Sequence, residues 1–233
     1  MTYRALALFD IDGTLVRRAG PHHRQALVEG IRRVLGIEST TEGIPVQGML
    51  DPDILTLMMR HAGVPRAAIG RAMPAIRQAA ERYYLRVCPA LLDHHCPGAV
   101  ETLERLRRRR FLLALVTGNL TRIGWRKLER AGLSEYFAFG AFGEMAKTRT
   151  GLVKIAIREA RRRSVERSTP VALVGDAPAD ILAARGNGIR SIAVQTGITP
   201  VEELRALHPD YLLRDLRQLR LRMLEDAGPL DVL

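Results

Sequence analysis

Asp10 and Asp12 stand two positions apart at the end of an apolar run, in the stretch ALALFDIDGTL from Ala5 to Leu15. In an extended chain alternate side chains share a face, so both carboxylates can point at one spot beyond the end of a strand. Gly13 lets the backbone turn there, and Thr14 places a hydroxyl at the bend. Two unit charges ~4 Å apart repel by roughly 4 kcal/mol at an effective dielectric of about 20. A divalent cation or a shared proton offsets that repulsion. Mg2+ fits the first case, because it is commonly held by one or two carboxylates and completes its shell with phosphate and water. An isolated Asp-x-Asp-Gly is also consistent with a surface turn. The apolar run before Asp10 and the hydroxyl after Gly13 favour a site.

Two further apolar runs end in polar groups. Phe111 to Asn119, FLLALVTGN, closes on Thr117, Gly118 and Asn119. A hydroxyl, an amide and the free N–H groups of a following helix can together face a phosphate, although the tripeptide alone also reads as a routine helix cap. Ala172 to Asp180, ALVGDAPAD, places Asp176 and Asp180 four apart at a helix start, hence on one face. Acidic residues are favoured near a helix N-terminus in any case. The carboxyl ends of strands in an open α/β sheet are where ligands usually sit.

Taken together, FDIDGTL, TGN and GDxxxD resemble, in order, the motifs of the haloacid dehalogenase-like superfamily. That resemblance implies a phosphatase with Asp10 as nucleophile and Asp12 as general acid and base. It implies Mg2+ held by Asp10, the main-chain carbonyl of Asp12 and Asp176, with Asp180 orienting the site at one remove or through water. Thr14, Thr117, Gly118 and Asn119 are the expected phosphate-binding residues. Asp12 itself argues for phosphate chemistry, since the dehalogenases of the superfamily need no acid on a leaving halide and lack this aspartate. The family's lysine usually lies in a Gly-Lys-Pro-x-Pro stretch, and here GEMAKTRTGLVKIAIREA stands in its place. Lys147 is nearest the expected position and is taken as the catalytic cation. Arg149 is its rival; Lys154 falls inside the following helix and Lys127 precedes the segment.

The elements that must bring these residues together alternate in kind. Strands are expected at 5–9, 111–116, 137–142 (weak), 171–174 and 191–194, with helices at 98–110, 119–131, 151–163 and 178–187. Thr199-Pro200-Val201-Glu202 reads as a capping box opening a further helix, and a last helix is expected from Asp215 to Leu224, before nine frayed residues. Short strands alternating with helices indicate a Rossmann-like α/β fold, a parallel sheet wound on both faces. Between 16 and 96 the pattern is helical: 22–36, then 51–62 with Asp51 as N-cap and Pro52 behind it, then a run from Arg66 to Val87 interrupted at Pro74. This segment resembles the family's helical cap, giving a discontinuous core of 1–15 and 97–233 with an inserted cap at 16–96. The linkers fall at Val16–Pro21 and Asp93–Pro97. A cap that closes over the site excludes water and makes large substrates poor.

Composition narrows the remaining classes. The chain has 233 residues, 47% of them hydrophobic, and no apolar run much longer than Phe111 to Val116. A membrane span needs about 20. The first strand begins almost at once, without a basic-then-apolar leader, so the expected location is the cytoplasm. Cys88 and Cys96 are too few for a disulfide framework, and His94-His95-Cys96 reads as linker rather than metal site. The net charge of +11 comes mostly from arginines spread over almost every helix, with lysine only at 127, 147 and 154 and aromatics at 5%. That pattern is a basic solvated surface more than a nucleic-acid footprint. The expected partner is a small phosphorylated metabolite, the expected assembly a monomer or homodimer. Phosphoglycolate phosphatases are the nearest type, but GMLDP at 48–52 is more apolar than the usual segment, and Arg17 and Arg18 replace an acidic and a small residue. Arg17, Arg18, Arg24 or Gln47 could recognise an anionic leaving group. The alternatives are a phosphomutase of the same family and a non-catalytic binding protein on the same fold.

Overall fold

The computed structural model describes residues 3–17, 20–163 and 165–225. Six parallel strands form one sheet in the order β3-β2-β1-β4-β5-β6. They are β1 (Leu6–Phe9), β2 (Leu112–Val116), β3 (Gly140–Ala141), β4 (Val171–Gly175), β5 (Arg190–Val194) and β6 (Tyr211–Leu213). The helices are α1 (His22–Leu35), α2 (Asp51–His61), α3 (Arg66–Val87), α4 (Ala99–Arg108) and α5 (Thr121–Arg130), followed by α6 (Arg149–Arg162), α7 (Pro178–Arg185), α8 (Val201–Ala206) and α9 (Arg222–Glu225).

Every residue of β1, β2 and β4 is buried, which is why these segments read as unbroken apolar runs. Their side chains still divide by alternation between two cores. Ala7, Phe9, Leu113 and Leu115 face one layer with Leu103 and Leu106 of α4 and Ile123 and Leu128 of α5. Leu6, Leu8, Ala114 and Val116 face the other, against Leu152, Val153 and Ala156 of α6 and Ala183 and Ala184 of α7. With both faces covered, the open end of the sheet, where β1, β2 and β4 all finish, is left for a ligand.

Between β1 and α4 the chain leaves the sheet to form α1, α2 and α3, whose apolar residues join the first core. Gly30 of α1 lies so close to α3 that a Cβ there would meet the Ala80 Cβ at 2.9 Å. The two connections to this helical layer run side by side. Val16 bridges antiparallel to His95, Arg17 N–H donates to the His94 carbonyl at 2.8 Å, and Cys96 N–H to that of Leu15 at 2.9 Å.

Several local expectations change. Pro74 sits inside an unbroken α3. Its ring forfeits one bond to the carbonyl of Gly70, and Gly70 is exposed, so water can take that carbonyl. The weak strand at 137–142 shrinks to Gly140–Ala141. Asp51 is the first residue of α2 rather than its N-cap, which is Leu50. The Thr199 capping box does not form, because α8 starts one residue later behind Pro200. β6 was not expected; three residues are too short for a periodicity to show. The final helix is instead a short 3-10 turn at Leu216–Gln218, started by Asp215 accepting from Arg217 N–H at 2.9 Å, and then α9. Of the nine residues expected to fray, Glu225 ends α9 and pairs with Arg4, and 226–233 lie outside the described residues. No helix among the described residues is long and apolar enough to cross a membrane.

Candidate active site

β1 ends at Phe9, and Asp10 follows, 5% exposed. Gly13 takes φ +83°, and a Cβ there would collide with the Asp176 carboxylate, so only glycine allows this turn beside that acid. Beyond β4, Asp176 and Asp180 come up to the same place. One oxygen from each of Asp10, Asp176 and Asp180 lies within 4.8 Å of the others, all three residues being buried. Gly175 and Gly197 complete the cradle, since a Cβ at either would strike Asp180 or Asp176.

The trio has one buried cation. Arg149 Nη1 donates to Asp10 Oδ1 at 3.1 Å and to Asp180 Oδ1 at 2.6 Å. Burial pushes Asp10 up to about 7; Arg149 opposes that rise, and the neighbouring Asp180 and Asp12 add to it. Burial likewise raises Asp176 well above the carboxylate range, reinforced by Asp10 and Asp180, and raises Asp180 against the pull of Arg149. Three oxygen-donor carboxylates, crowded and short of positive charge, fit a hard divalent cation such as Mg2+. Among the described residues no other such cluster of acids, histidines or cysteines occurs.

Asp12 belongs to a separate network. Lys127 Nζ, 1% exposed, lies 2.7 and 2.6 Å from its two oxygens, and Asn119 Nδ2 donates to Oδ2 at 2.8 Å. Burial works against the charge on Asp12, but Lys127 and these hydrogen bonds outweigh it and hold the carboxyl below its ordinary value. Asn119 also donates to Thr117 Oγ1 at 2.7 Å and accepts from Lys127 at 2.6 Å. Thus Asp10, Asp12, Thr117, Asn119, Asp176 and Asp180, from three strand ends, converge.

Two expected roles change, those of Thr14 and Lys147. The hydroxyl of Thr14 is committed to Asp176 Oδ1 at 3.2 Å, so it orients that acid rather than facing a phosphate. The Asp12 side chain stands outside the trio of acids, and the ligand role expected of this residue is through its main chain. Gly118 lines a cavity beside Asp10, Thr117 and Asn119, its carbonyl accepting from Asp51 N–H at 2.8 Å, and a Cβ on it would run into the Met49 carbonyl. Lys147 is exposed and meets none of the acids. Thr148 caps α6 by accepting from Gly151 N–H at 3.1 Å, so the helix begins at Arg149 and turns that residue inward with Leu152, Val153 and Ala156. Lys147 precedes the cap and faces solvent.

Lys127 was passed over because it precedes the expected segment. Its signal was present: Ile123, Gly124, Lys127 and Leu128 form the buried face of α5, and a lysine on an apolar face in an arginine-rich chain needs a partner. Residues of the helical layer close the site. Gln47 Nε2 donates to Asp176 Oδ2 at 2.8 Å, Arg149 Nη2 reaches the Gly48 carbonyl at 3.4 Å, and Asp51 Oδ2 accepts from Leu120 N–H at 2.8 Å and pairs with His23 Nε2 at 2.9 Å. Beneath them is a cavity of about 220 Å3, lined by Asp10, Asp12, His23, Arg24, Thr117 and Arg149 among others. Arg17 lines a second cavity of about 580 Å3 that shares Asp12, Gln47 and Asp176 with the first, and Arg18 lies outside the described residues. His94 and His95 bond main-chain carbonyls of Arg17 and Ala131, as linker residues would.

The family model of the haloacid dehalogenase-like hydrolases matches residues 5–188. The chain is 30% identical over 128 residues to the phosphoglycolate phosphatase of Vibrio parahaemolyticus, a match spanning 55% of this chain and 56% of that relative. It is 29% identical over 223 residues to the phosphoglycolate phosphatase of Agrobacterium fabrum, covering 92% and 90%. Among solved structures, CbbY from Rhodobacter sphaeroides in complex with phosphate shares the fold, with a TM-score of 0.70 at 21% identity over 94% of this chain and 98% of that one.

Proposed function

We propose a Mg2+-dependent phosphatase acting on a small phosphomonoester, and the premise is plain: the chain belongs to the haloacid dehalogenase-like hydrolases. The observation that carries the reading is the meeting of Asp10, Asp12, Thr117 and Asp176 at one sheet end, with two buried cations, Arg149 and Lys127, among them. Relatives called phosphoglycolate phosphatase support a small acidic substrate.

In this reading Asp10 attacks phosphorus, giving an aspartyl-phosphate, so that one difficult displacement becomes two easier ones. Asp12 lies on the same cavity as Asp10. A doubly charged phosphoryl group beside it raises its proton affinity, so it takes up a proton with the substrate and delivers it to the departing oxygen. The ionised Asp12 that results, held by Lys127, is then the base for the incoming water. Arg149 and the groups around Thr117 bind phosphoryl oxygens as charge redistributes. Asp10, Asp176, Asp180 and the Asp12 carbonyl would hold Mg2+, which supplies charge neutralisation for the phosphoryl group. The helical layer acts as a cap at 16–96, and the 220 Å3 cavity under it limits substrate size.

A panel of small phosphate esters, including phosphoglycolate, sugar phosphates, nucleotides and pyrophosphate, tests this with Mg2+ and with EDTA. Phosphate release that needs Mg2+ and favours the smallest esters is expected. Transfer of the phosphoryl group to a sugar in place of release would point to a phosphomutase. No turnover of any ester would leave a binding protein.

A further inference from the structure

We propose that His23, carried by α1 of the helical layer, is a positioning residue for Asp12 that acts through Lys127; the inference rests on the phosphatase reading above. Lys127 Nζ has three protons to place and no acceptor capacity. It finds acceptors in the Asp12 carboxylate, Asn119 Oδ1 at 2.6 Å and His23 Nδ1 at 3.1 Å. Because the ammonium can only donate, Nδ1 is the accepting nitrogen, and the ring proton sits on Nε2, where it meets Asp51 Oδ2 at 2.9 Å. Asp51 in turn receives Leu120 N–H at 2.8 Å, just after the Thr117-Gly118-Asn119 turn. The imidazole is held edge-on against the buried ring of Tyr84, 5.9 Å between centroids.

A continuous chain of bonds therefore runs from Asp12 through Lys127 and His23 to Asp51. Its first two members belong to the sheet unit and its last two to the helical layer. Remove His23 and one proton of a buried ammonium loses its acceptor. The ammonium then shifts toward other partners, and the Asp12 carboxylate it grips shifts with it. A displacement of that kind costs most when proton delivery to the leaving group matters, and least when the leaving group departs unaided.

That difference supplies the test. Full-length wild type, His23→Phe and His23→Asn are compared on an alkyl phosphate, whose alkoxide needs a proton, and on p-nitrophenyl phosphate, whose phenolate does not. The value of kcat/KM reports the steps up to loss of the leaving group. His23→Phe, which keeps a ring against Tyr84, is expected to lose at least about tenfold on the alkyl ester and less than about threefold on the aryl ester. His23→Asn, whose amide oxygen can stand at the Nδ1 position, is expected to recover most of the loss, and His23→Gln, which reaches toward Asp51 instead, is not. If His23→Phe does not fold, the Asn and Gln pair carries the comparison. Equal losses on both esters, or no loss on either, would overturn the positioning role. Inactivity of the wild type on both esters would instead overturn the phosphatase reading, and this role with it.

Discussion

A cation two residues from the expected one changes which substitution should matter. Lys147 lies nearest the place where the family lysine is expected, yet it is exposed, and Arg149 is the residue bonded to Asp10 and Asp180. Arg149→Ala removes a donor from Asp10, the proposed nucleophile, and is expected to cost at least about 100-fold in kcat, whereas Lys147→Ala should stay within about twofold. Steady-state rates on one small ester compare them directly; the reverse order would return the role to Lys147. Asp10 makes a second prediction, for protein stripped of metal. With its carboxyl pushed up to about 7, the native state keeps a proton between pH 4 and 7 that the unfolded chain has released. Stability of the metal-free protein should therefore fall as pH rises through that window, by on the order of 2–4 kcal/mol from this group. Urea midpoints in EDTA at pH 5 and pH 8 should show that fall, and Asp10→Asn should lessen it, the raised Asp176 and Asp180 keeping the remainder; an unchanged slope would contradict the shift. The acids were legible because they stand at the ends of apolar runs. Lys127 left a local trace in its place on the apolar face of α5, but its pairing with Asp12, like the contacts of His23 with Asp51 and of Gln47 with Asp176, crosses more than twenty residues of chain, and no local spacing encodes such contacts.

At the scale of elements, the start of α5 is where the helical layer is fastened to the sheet unit. Its first free N–H groups are taken by three acids: Leu120 by Asp51 at 2.8 Å, Thr121 by Glu144 at 3.1 Å and Arg122 by Glu81 at 3.1 Å. Asp51 and Glu81 come from the layer, so closing it also satisfies a helix terminus. Gly118, one turn earlier, is pressed against the Met49 carbonyl. Gly118→Ala should force the two apart, lowering kcat/KM by about tenfold or more and exposing the loop at 37–50 to limited proteolysis. Unchanged proteolysis would mean that the contact is not what holds the layer down. The central strands and most helices could be read from periodicity. Pro74 inside α3, the three-residue β6 and the shifted start of α8 could not, because each turns on solvation or pairing that only the folded chain supplies.

For the molecule as a whole, the order of layers explains the site: two packed faces leave one end of the sheet free, and the helical layer roofs it. Of the strong basic charge, Arg149 and Lys127 are the side chains that pair with the converging acids among the described residues. The central claim is that Asp10 carries the phosphoryl group between two half-reactions. The direct measurement is to mix the enzyme with Mg2+ and a 32P-labelled small phosphomonoester, quench in acid within the first turnovers, and map the protein-bound label. A hydroxylamine-sensitive label on the peptide containing Asp10, missing from Asp10→Asn, is the predicted result. Phosphate release at full rate with no label at that peptide, or undiminished release by Asp10→Asn, would contradict it.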